Sequence, residues 1–326
     1  MCSASIPVDQ SMEPDTVPTS IHFLIAGDAN FFATMRECMA RINRHHPDAF
    51  IHVYDWGLEN HQAEALRSAV TNLSIIDWKE NIAALRRQSR DLRDVPVDEV
   101  HINLAKRHNV KFEDGFRKRL VKACVKYFPR SPVSKIAIRR AIFYENLLIE
   151  KIRCMKDLSR SLGNEPMAFL DADIVLLENI DDLFENEFDV AFTMLREEDF
   201  SDQDGFCLCV NSGAVYFGAD KERRDGFIDH WLRTATNYDG YLSEQAALSI
   251  ILEKSGNRTL YSTVAWQADG REFNILLLPC DIFNCFYFFQ AKSVEELDPV
   301  KIVHFIGNSY HNEEFSHLAK GLMARR

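Results

Sequence analysis

The sequence lacks several features that mark common classes of protein. No stretch approaches the roughly 20 consecutive apolar residues of a membrane-spanning helix, and the first residues do not follow the basic-then-apolar pattern of a signal peptide. No Cys-x-x-Cys pair occurs, and no glycine-rich loop carries a lysine that could bind phosphate. We therefore expect a soluble, cytoplasmic protein without a transmembrane segment. The missing loop also argues against many nucleotidyltransferases and phosphohydrolases.

Positive charge is also scarce. The 326-residue chain carries 38 Lys and Arg against 49 Asp and Glu, and its formal net charge is −11. Nucleic acid repels such a protein, so we expect no nucleic-acid partner. Because 46% of the residues are hydrophobic, the chain can bury a large core. We predict a disordered leader over residues 1–18, which are rich in Ser, Pro and Asp, and a single domain over residues 19–326.

The cysteines are scattered along the chain. They are Cys2, Cys38, Cys124, Cys154, Cys207, Cys209, Cys280 and Cys285. We interpret them as buried apolar thiols, because a chain of this length does not need disulfides for stability. Cys207 and Cys209 would share one face of a strand, which leaves a zinc site as the alternative for that pair.

Apolar runs and helical periodicity alternate along the first third of the chain. The predicted strands are residues 21–25, 50–54 and 73–76, and the predicted helices between them are residues 31–44 and 62–70. This alternation is typical of a parallel sheet with crossover helices. Ligands of such sheets bind at the carboxyl ends of the strands, so Asp28 and Asp77 lie at useful positions.

A charge-dense insertion at about residues 87–132 interrupts this pattern and is predicted to be mostly helical. Its stretch 106–126 concentrates cations in an acidic protein. We interpret them as a solvated helix face, and contact with an anionic acceptor, a partner or a membrane surface is the alternative. Beyond the insertion, strands are predicted at residues 166–170, 189–194, 210–217, 275–278 and 302–305, and helices at 220–236 and 243–253. Residues 134–161 are predicted to form one long helix or two abutting ones.

Two carboxylates follow the strand at residues 166–170. Asp171 and Asp173 are separated by the small Ala172, so a strand would point both to the same face. Their repulsion is unfavourable unless a cation compensates it, and hard oxygen ligands suit Mg²⁺ or Mn²⁺ bridging a diphosphate. An isolated Asp-x-Asp is equally explained by a surface turn. The apolar runs on both sides of this one favour a buried site.

His304 is a third candidate ligand, near the end of the last predicted strand. An isolated histidine is usually a hydrogen-bonded core residue. An imidazole nitrogen is nevertheless compatible with Mn²⁺, so a third ligand from a distant strand is chemically sensible.

Taken in their order along the chain, the Asp171–Asp173 pair, His304 and three further short segments resemble the glycogenin-like and lipopolysaccharide galactosyltransferase-like enzymes of the GT-A fold. Residues 26–31 are similar to the family's nucleotide-binding opening, and residues 169–175 to its metal motif. Residues 211–216 resemble the segment that lines the sugar pocket. Residues 243–248 lie where the family has an Asp-Gln pair, and residues 304–307 match its last metal ligand.

The resemblance implies an α/β fold with a mixed, mostly parallel sheet flanked by helices. It implies transfer of a sugar, with retention, from a nucleotide-diphosphate sugar such as a UDP-sugar to a glycan, protein or other hydroxyl acceptor. Asp171, Asp173 and His304 would hold Mn²⁺ or Mg²⁺. The implied donor contacts are Ala26, Asp28, Asn30, Ala172, Gly213 and Gly307. Asn211, Glu244 and Gln245 would line the sugar, with Gln245 on the face opposite the leaving group.

Two positions depart from the family. Glu244 stands where the family usually has Asp, which would shift a sugar or acceptor contact by one methylene. The family commonly has a Lys after Gly307 that grips the diphosphate, whereas this chain has Asn308. Phosphate contacts must then come from elsewhere, and the candidates are Tyr310, His311, Lys135, Arg139 and Arg140.

Two other functions stay open. An inverting transferase of the same fold would need a general base, for which Glu244 is the candidate. A non-catalytic module that binds glycans or a partner would use an aromatic platform instead. Its members would be Phe283, Phe286, Tyr287, Phe288 and Phe289, which we interpret as core residues.

Overall fold

The structure is a computed structural model that describes residues 20–89, 95–108, 115–203, 206–256, 258–286 and 300–306. The predicted leader, the aromatic residues 287–289, and Gly307, Tyr310 and His311 lie outside the described residues. Within the described part of the chain, no helix has the length and apolar character needed to cross a membrane.

A central sheet of eight strands organises the molecule. The described strands are β1 (His22–Asp28), β2 (Phe50–Gly57), β3 (Leu73–Asp77), β4 (Met167–Asp171), β5 (Ile174–Leu176), β6 (Val190–Met194), β7 (Ser201–Gln203), β8 (Phe206–Leu208), β9 (Val210–Phe217), β10 (Thr263–Ala268), β11 (Arg271–Pro279) and β12 (Ile302–His304). The central sheet has the order β10-β11-β6-β9-β4-β1-β2-β3. Since only β9 and β10 run antiparallel to their neighbours, this is the mixed, mostly parallel sheet that was predicted.

Helices cover both faces of this sheet. They are α1 (Phe32–His45), α2 (Asn60–Ala69), α3 (Lys79–Gln88), α4 (Glu99–His108), α5 (Gly115–Tyr127), α6 (Pro132–Ser161), α7 (Asp181–Phe184), α8 (Lys221–Thr236), α9 (Ser243–Ser255) and α10 (Cys280–Phe283). Ser131 begins the long α6 because its hydroxyl accepts the Ser134 N–H and Pro132 occupies the first turn.

The two faces bury different side chains because successive residues of a strand point in opposite directions. In β1, Phe23 and Ile25 belong to the core on the α1 side, whereas Leu24 belongs to the core formed with α6, α8 and α9. Strand β9 is buried along its whole length. Burial of both faces is the usual state of a largely parallel sheet.

The charge-dense insertion forms a helical layer on the first half of α6. Its helices α4 and α5 contact α6 through a small separate core. That core consists of Leu104, Ala105, Val125, Ala137, Ile138 and Ala141. The insertion therefore extends the α6 side of the molecule and leaves the central sheet uninterrupted.

Candidate metal centre and donor site

Strand pairing brings the three candidate ligands together at the carboxyl end of β4. Asp171 ends β4, the chain turns through Asp173 into β5, and β12 pairs antiparallel with β5 so that His304 lies opposite Ile174. The His304 Nε2 atom is 3.1 Å from Asp173 Oδ1 and 4.0 Å from Asp171 Oδ2. One ligand atom from each residue lies within 4.8 Å of the others. This spacing suits a single metal ion.

Asn284 orients the His304 ring. Its side-chain amide donates to Thr193 Oγ1 at 3.1 Å, which turns the amide oxygen towards His304 Nδ1 at 2.9 Å. Nδ1 therefore carries the hydrogen, and Nε2 faces the two carboxylates. Histidine ligands in metalloproteins are commonly held in this way through their second nitrogen.

Gly213 leaves the space that the His304 ring occupies. A Cβ atom at this position would lie 2.6 Å from His304 Cε1 and 3.1 Å from Asn284 Oδ1. The space beside Gly213 is therefore occupied by the imidazole. This contact occurs where β9 bulges against β6, between Phe192 and Thr193, and such bulges commonly re-aim side chains beside active sites.

A buried lysine from α6 completes the cluster. Lys151 Nζ donates to Asp171 Oδ1 at 2.8 Å and Oδ2 at 3.1 Å, and it lies 3.4 Å from Glu244 Oε1. Burial by itself lowers the pKa of Lys151, but the carboxylates of Asp171 and Glu244 raise it above its usual value. The ammonium group therefore stays charged and compensates one of the three nearby carboxylates.

Glu244 lies at the start of α9, directly beside this lysine. Its Oε1 accepts a hydrogen bond from Ser212 Oγ at 3.1 Å, whereas Oε2 is buried without a hydrogen-bond partner in the described structure. Burial is the main reason that the pKa values of Glu244 and Asp171 are raised, and Lys151 opposes the shift in both. An unpaired buried carboxylate oxygen is unfavourable unless a ligand donates to it.

A second carboxylate holds the beginning of α9. Glu145 of α6 accepts the backbone N–H groups of Leu242 at 2.9 Å and Ser243 at 2.8 Å. Leu242 adopts a left-handed conformation with φ of 54°, which is unfavourable for a leucine and persists only where surrounding contacts maintain it. His108, the last residue of α4, lies within hydrogen-bond distance of the Glu145 carboxylate. The insertion thus helps to position Glu244.

Comparison with known proteins identifies the family. The sequence profile of the nucleotide-diphospho-sugar transferases matches residues 123–315, more than half of the chain. The chain belongs to the nucleotide-diphospho-sugar transferase family. This assignment confirms the prediction of a glycosyltransferase, and the sheet described above is mixed and mostly parallel, as predicted. No match was found among curated protein sequences.

Several solved glycosyltransferase structures resemble this transferase. The galactosyltransferase LgtC in complex with donor and acceptor sugar analogues is 14% identical, with 92% of this chain and 95% of that chain covered and a TM-score of 0.47. An active-site mutant of LgtC has the same identity and coverage and a TM-score of 0.46. The apo form of GlyE from Streptococcus pneumoniae TIGR4 is 11% identical, with 93% of this chain and 62% of that chain covered and a TM-score of 0.46.

The end of β1 lies beside the metal-centre candidates of the transferase. Ala26 is in register with Asp171 of β4, and a Cβ atom on Gly27 would lie 2.8 Å from the Cβ of Ala172. Asp28 accepts the backbone N–H of Asn30 at 3.0 Å and so begins the short turn before α1. The predicted nucleotide segment and the acidic pair therefore share one edge of the sheet.

The remaining residues singled out in the sequence lie in several different parts of the fold. Asn211 Oδ1 accepts the Gly213 N–H at 3.0 Å, so in this structure its side chain stabilises the bulge. Gln245 is half-buried in the first turn of α9. Arg139 precedes Lys151 by three turns of α6, which separates the two by about 18 Å along the helix axis. Phe283 is buried in the core, in agreement with the core interpretation of that residue.

Three residues of the cluster were not among the predicted site residues. The sequence periodicity indicates that Lys151 is buried. It follows Leu148 by three positions and precedes Met155 by four, which places it on the buried face of α6. A buried lysine requires a charged partner. Asn284 and Glu145 carried no comparable signal, because neither has a periodicity or motif that distinguishes it. Of the described residues, the acidic pair and His304 form the candidate metal-binding group, which does not include Cys207 or Cys209.

Proposed function

We propose that this transferase moves a hexose or similar sugar from a UDP-sugar to a hydroxyl group of a glycan, protein or other acceptor, with retention, in a reaction that requires Mn²⁺ or Mg²⁺. The observation that carries this proposal is the convergence of Asp171, Asp173 and His304 within 4.8 Å of one another. The three residues come from β4, the turn that follows it and β12, which no local pattern joins, and His304 Nε2 lies 3.1 Å from Asp173 Oδ1.

The charges and donor atoms of the cluster fit a divalent cation. Asp171, Asp173 and Glu244 contribute three negative charges and Lys151 compensates one, so two remain when His304 is neutral. Two carboxylates and one imidazole form a donor set that suits Mn²⁺ or Mg²⁺. When bound, the ion would supply Lewis-acid stabilisation of the departing diphosphate.

The remaining residues of the cluster would bind and orient the donor. Lys151 presents a buried ammonium group beside Asp171, which supports it as the phosphate contact in place of the family's lysine after Gly307. Glu244 Oε2 has an unused lone pair that a sugar hydroxyl would satisfy. Gln245 would lie close to the sugar because it shares the first turn of α9 with Glu244. Buried groups fixed in this way lower the reorganisation needed for transfer.

We further propose that the acceptor binds in a cleft of about 620 Å³ between α4 and the loop before α9. Its lining includes Asn103, Arg107 and Tyr241. The ring of Tyr241 is 4.8 Å from that of His108, which is 4.7 Å from that of Tyr144 on α6. Tyr144 interacts electrostatically with Lys151 and Glu244, so this row of rings connects the cleft with the charged cluster. Aromatic faces and amides are suitable partners for a glycan.

Titration calorimetry with UDP tests the donor and metal parts of the proposal. We expect UDP to bind in the presence of Mn²⁺ and to lose most of its affinity when a chelator is added. A screen of nucleotide sugars for metal-dependent hydrolysis then identifies the donor. Equal binding of UDP with and without the metal, or turnover only of a different nucleotide sugar, would contradict these parts. The anomeric configuration of the product, measured by NMR, decides between retention and an inverting reaction with Glu244 as base.

Substitution of Tyr241 by Ala tests the acceptor cleft. We expect KM for the acceptor to rise about fivefold, because a stacking surface worth roughly 1 kcal/mol is removed. Hydrolysis of the donor without acceptor should keep its rate, since Tyr241 lies outside the charged cluster. An unchanged acceptor KM would remove the cleft from consideration and leave the donor site untouched.

A further inference from the structure

The helical hairpin formed by α5 and the first part of α6 has an unusual charge. Residues 115–144 contain no Asp or Glu in a protein whose net charge is −11. Their cations are Arg117, Lys118, Arg119, Lys122, Lys126, Arg130, Lys135, Arg139 and Arg140. A segment of 30 residues with only positive side chains therefore opposes the sign of the whole protein.

The same hairpin exposes large apolar side chains. Half of the large hydrophobic residues exposed in the described structure belong to it. They are Leu120, Tyr127, Phe128, Val133 and Ile136. Tyr127 is 64% exposed and Phe128 67% exposed. Leu120 and Tyr127 are seven residues apart and so share one face of α5, while Val133 and Ile136 are three apart on α6. We call this apolar set, with the exposed cations Arg119, Lys122, Lys126 and Arg130, the hairpin surface.

The buried sides of the same helices explain why these residues point outward. Val125 of α5 and Ala137, Ile138 and Ala141 of α6 form the small core with α4. The hairpin surface is therefore the second apolar side of helices that already have one packed side. Exposed apolar clusters of this kind in a soluble domain usually mark a binding surface.

The positive charge of the hairpin surface indicates which kind of partner it binds. Aromatic and aliphatic side chains interleaved with Lys and Arg are typical of segments that lie in the interface of a bilayer, where the rings enter the head-group region and the cations meet anionic lipid. Each Lys or Arg near such a surface contributes about 1 kcal/mol. The Lys126 ammonium lies 5.0 Å from the centre of the Tyr127 ring, so cation and ring occupy the same position on the surface.

We propose that the hairpin surface docks this protein peripherally on a membrane that contains anionic lipid. The docking is independent of the proposed function. One consequence of the docking does rest on the proposed function. Ile136 and Lys151 are both on α6, about 22 Å apart along its axis. Docking would therefore hold the candidate donor site near the bilayer, within reach of an acceptor displayed there.

Vesicle co-sedimentation of the full-length protein tests the docking. We expect binding to vesicles of phosphatidylcholine with 30% phosphatidylserine, at least tenfold weaker binding to pure phosphatidylcholine vesicles, and a similar loss in high salt. The double variant Lys122→Glu and Lys126→Glu should bind the anionic vesicles at least tenfold less tightly. The matched control Arg67→Glu and Lys254→Glu makes the same charge change at exposed positions elsewhere and should lose much less.

The apolar part of the surface has its own test. Phe128→Ser should weaken vesicle binding about tenfold, while Leu260→Ser, which removes an exposed apolar side chain distant in sequence, should not. Equal losses in the two charge-reversal variants would show that only net charge matters and would overturn the proposal. The proposal also fails if no vesicles bind and Phe128→Ser instead dissociates a dimer in size-exclusion chromatography. UDP binding with Mn²⁺ should be unchanged in all variants, which separates this result from failure of the proposed function.

Discussion

The two ends of the central sheet both bury charged side chains, but they satisfy them differently. At the amino end of β4, Arg224 is fully buried, and its guanidinium group donates to Ser159 Oγ and to the carbonyl oxygens of Gly163 and Glu165. At the carboxyl end, Lys151 is shared between two carboxylates and Glu244 Oε2 is left without a hydrogen-bond partner in the described structure. The Arg224 guanidinium group is matched with acceptors at the first end, whereas negative charge exceeds positive charge in the cluster at the second.

This difference separates stability from function. A buried group with all its hydrogen bonds made stabilises the fold, and its removal leaves its partners unpaired. A cluster with excess negative charge is unfavourable by itself and becomes favourable when a cation or a ligand binds. We therefore expect substitutions at the amino end to reduce the free energy of unfolding, and substitutions at the carboxyl end to reduce binding and catalysis.

The largest effect is expected for Asp173→Asn. The variant keeps the shape of the side chain and removes one negative charge, so kcat/KM should fall about 10³-fold, which corresponds to about 4 kcal/mol. Its free energy of unfolding, measured with urea, should change by less than 1 kcal/mol because carboxylate repulsion is relieved as a contact to His304 is lost. Asp48→Asn makes the same change at an exposed position and should leave both kcat/KM and the free energy of unfolding unchanged. A destabilised variant with full activity would break the comparison.

Arg224→Met should have the next largest effect, on stability alone. We expect a loss of about 3–5 kcal/mol in the free energy of unfolding, because buried carbonyl oxygens lose their donors. Arg233→Met, an exposed position in the same helix, should lose less than 1 kcal/mol. If the folded Arg224 variant also loses UDP affinity in calorimetry, the two ends are not separable.

Asn284→Ala should lower the affinity for Mn²⁺ by about 10-fold to 100-fold, since the His304 ring loses the group that orients it. Thr193→Val removes only the hydroxyl that orients Asn284 and should produce a smaller loss. Both variants should regain activity at high Mn²⁺ concentration, which a purely structural defect would not allow. Unchanged Mn²⁺ affinity in Asn284→Ala would exclude Asn284 as a positioning residue.

The smallest expected effect is on the pH dependence of stability, through a histidine at the amino end of the sheet. Burial, followed by the neighbouring His22, lowers the pKa of His52 to about 4 from an ordinary value near 6.5. The folded state therefore binds this proton less readily than the unfolded state, so the associated stability is present near pH 7 and is lost as the pH falls towards 4. When the pH is lowered from 7 to 5, the free energy of unfolding measured with urea should fall for both proteins. For His52→Gln it should fall by about 1–2 kcal/mol less than for the unaltered protein. Identical pH dependence would contradict this.

Much of the fold could be predicted because the central strands are continuous apolar runs. The predicted strand at residues 210–217 coincides with β9, and those at residues 21–25 and 166–170 overlap β1 and β4. Helix α3 was not predicted, since its sequence is strongly polar and only Ile82 and Leu85 are buried on it. The three-residue strands β5 and β12 are too short for a periodic pattern, and their pairing depends on the surrounding structure.

The candidate site was predictable in part for similar reasons. Asp171 and Asp173 follow a buried strand closely enough for chemistry to be read from spacing, and the structure places His304 beside them. The contributions of Lys151 and Asn284 depend on how α6 and the end of α10 approach the acidic pair and His304 in space. Sequence order alone contains no such distances. Roles for all these residues in metal and donor binding stay predictions for the experiments above.

The pairing of β5 with β12 also has a consequence for biosynthesis. Lys151 and Asp171 are 20 residues apart, whereas His304 follows Asp173 by roughly 130 residues. At ~5–20 residues per second, His304 leaves the ribosome on the order of ten seconds after the aspartates. During that interval Lys151 is already available as a counter-ion for Asp171. Lys151 thus precedes His304 in synthesis, and the candidate ligand set is complete only when the last described strand has been made.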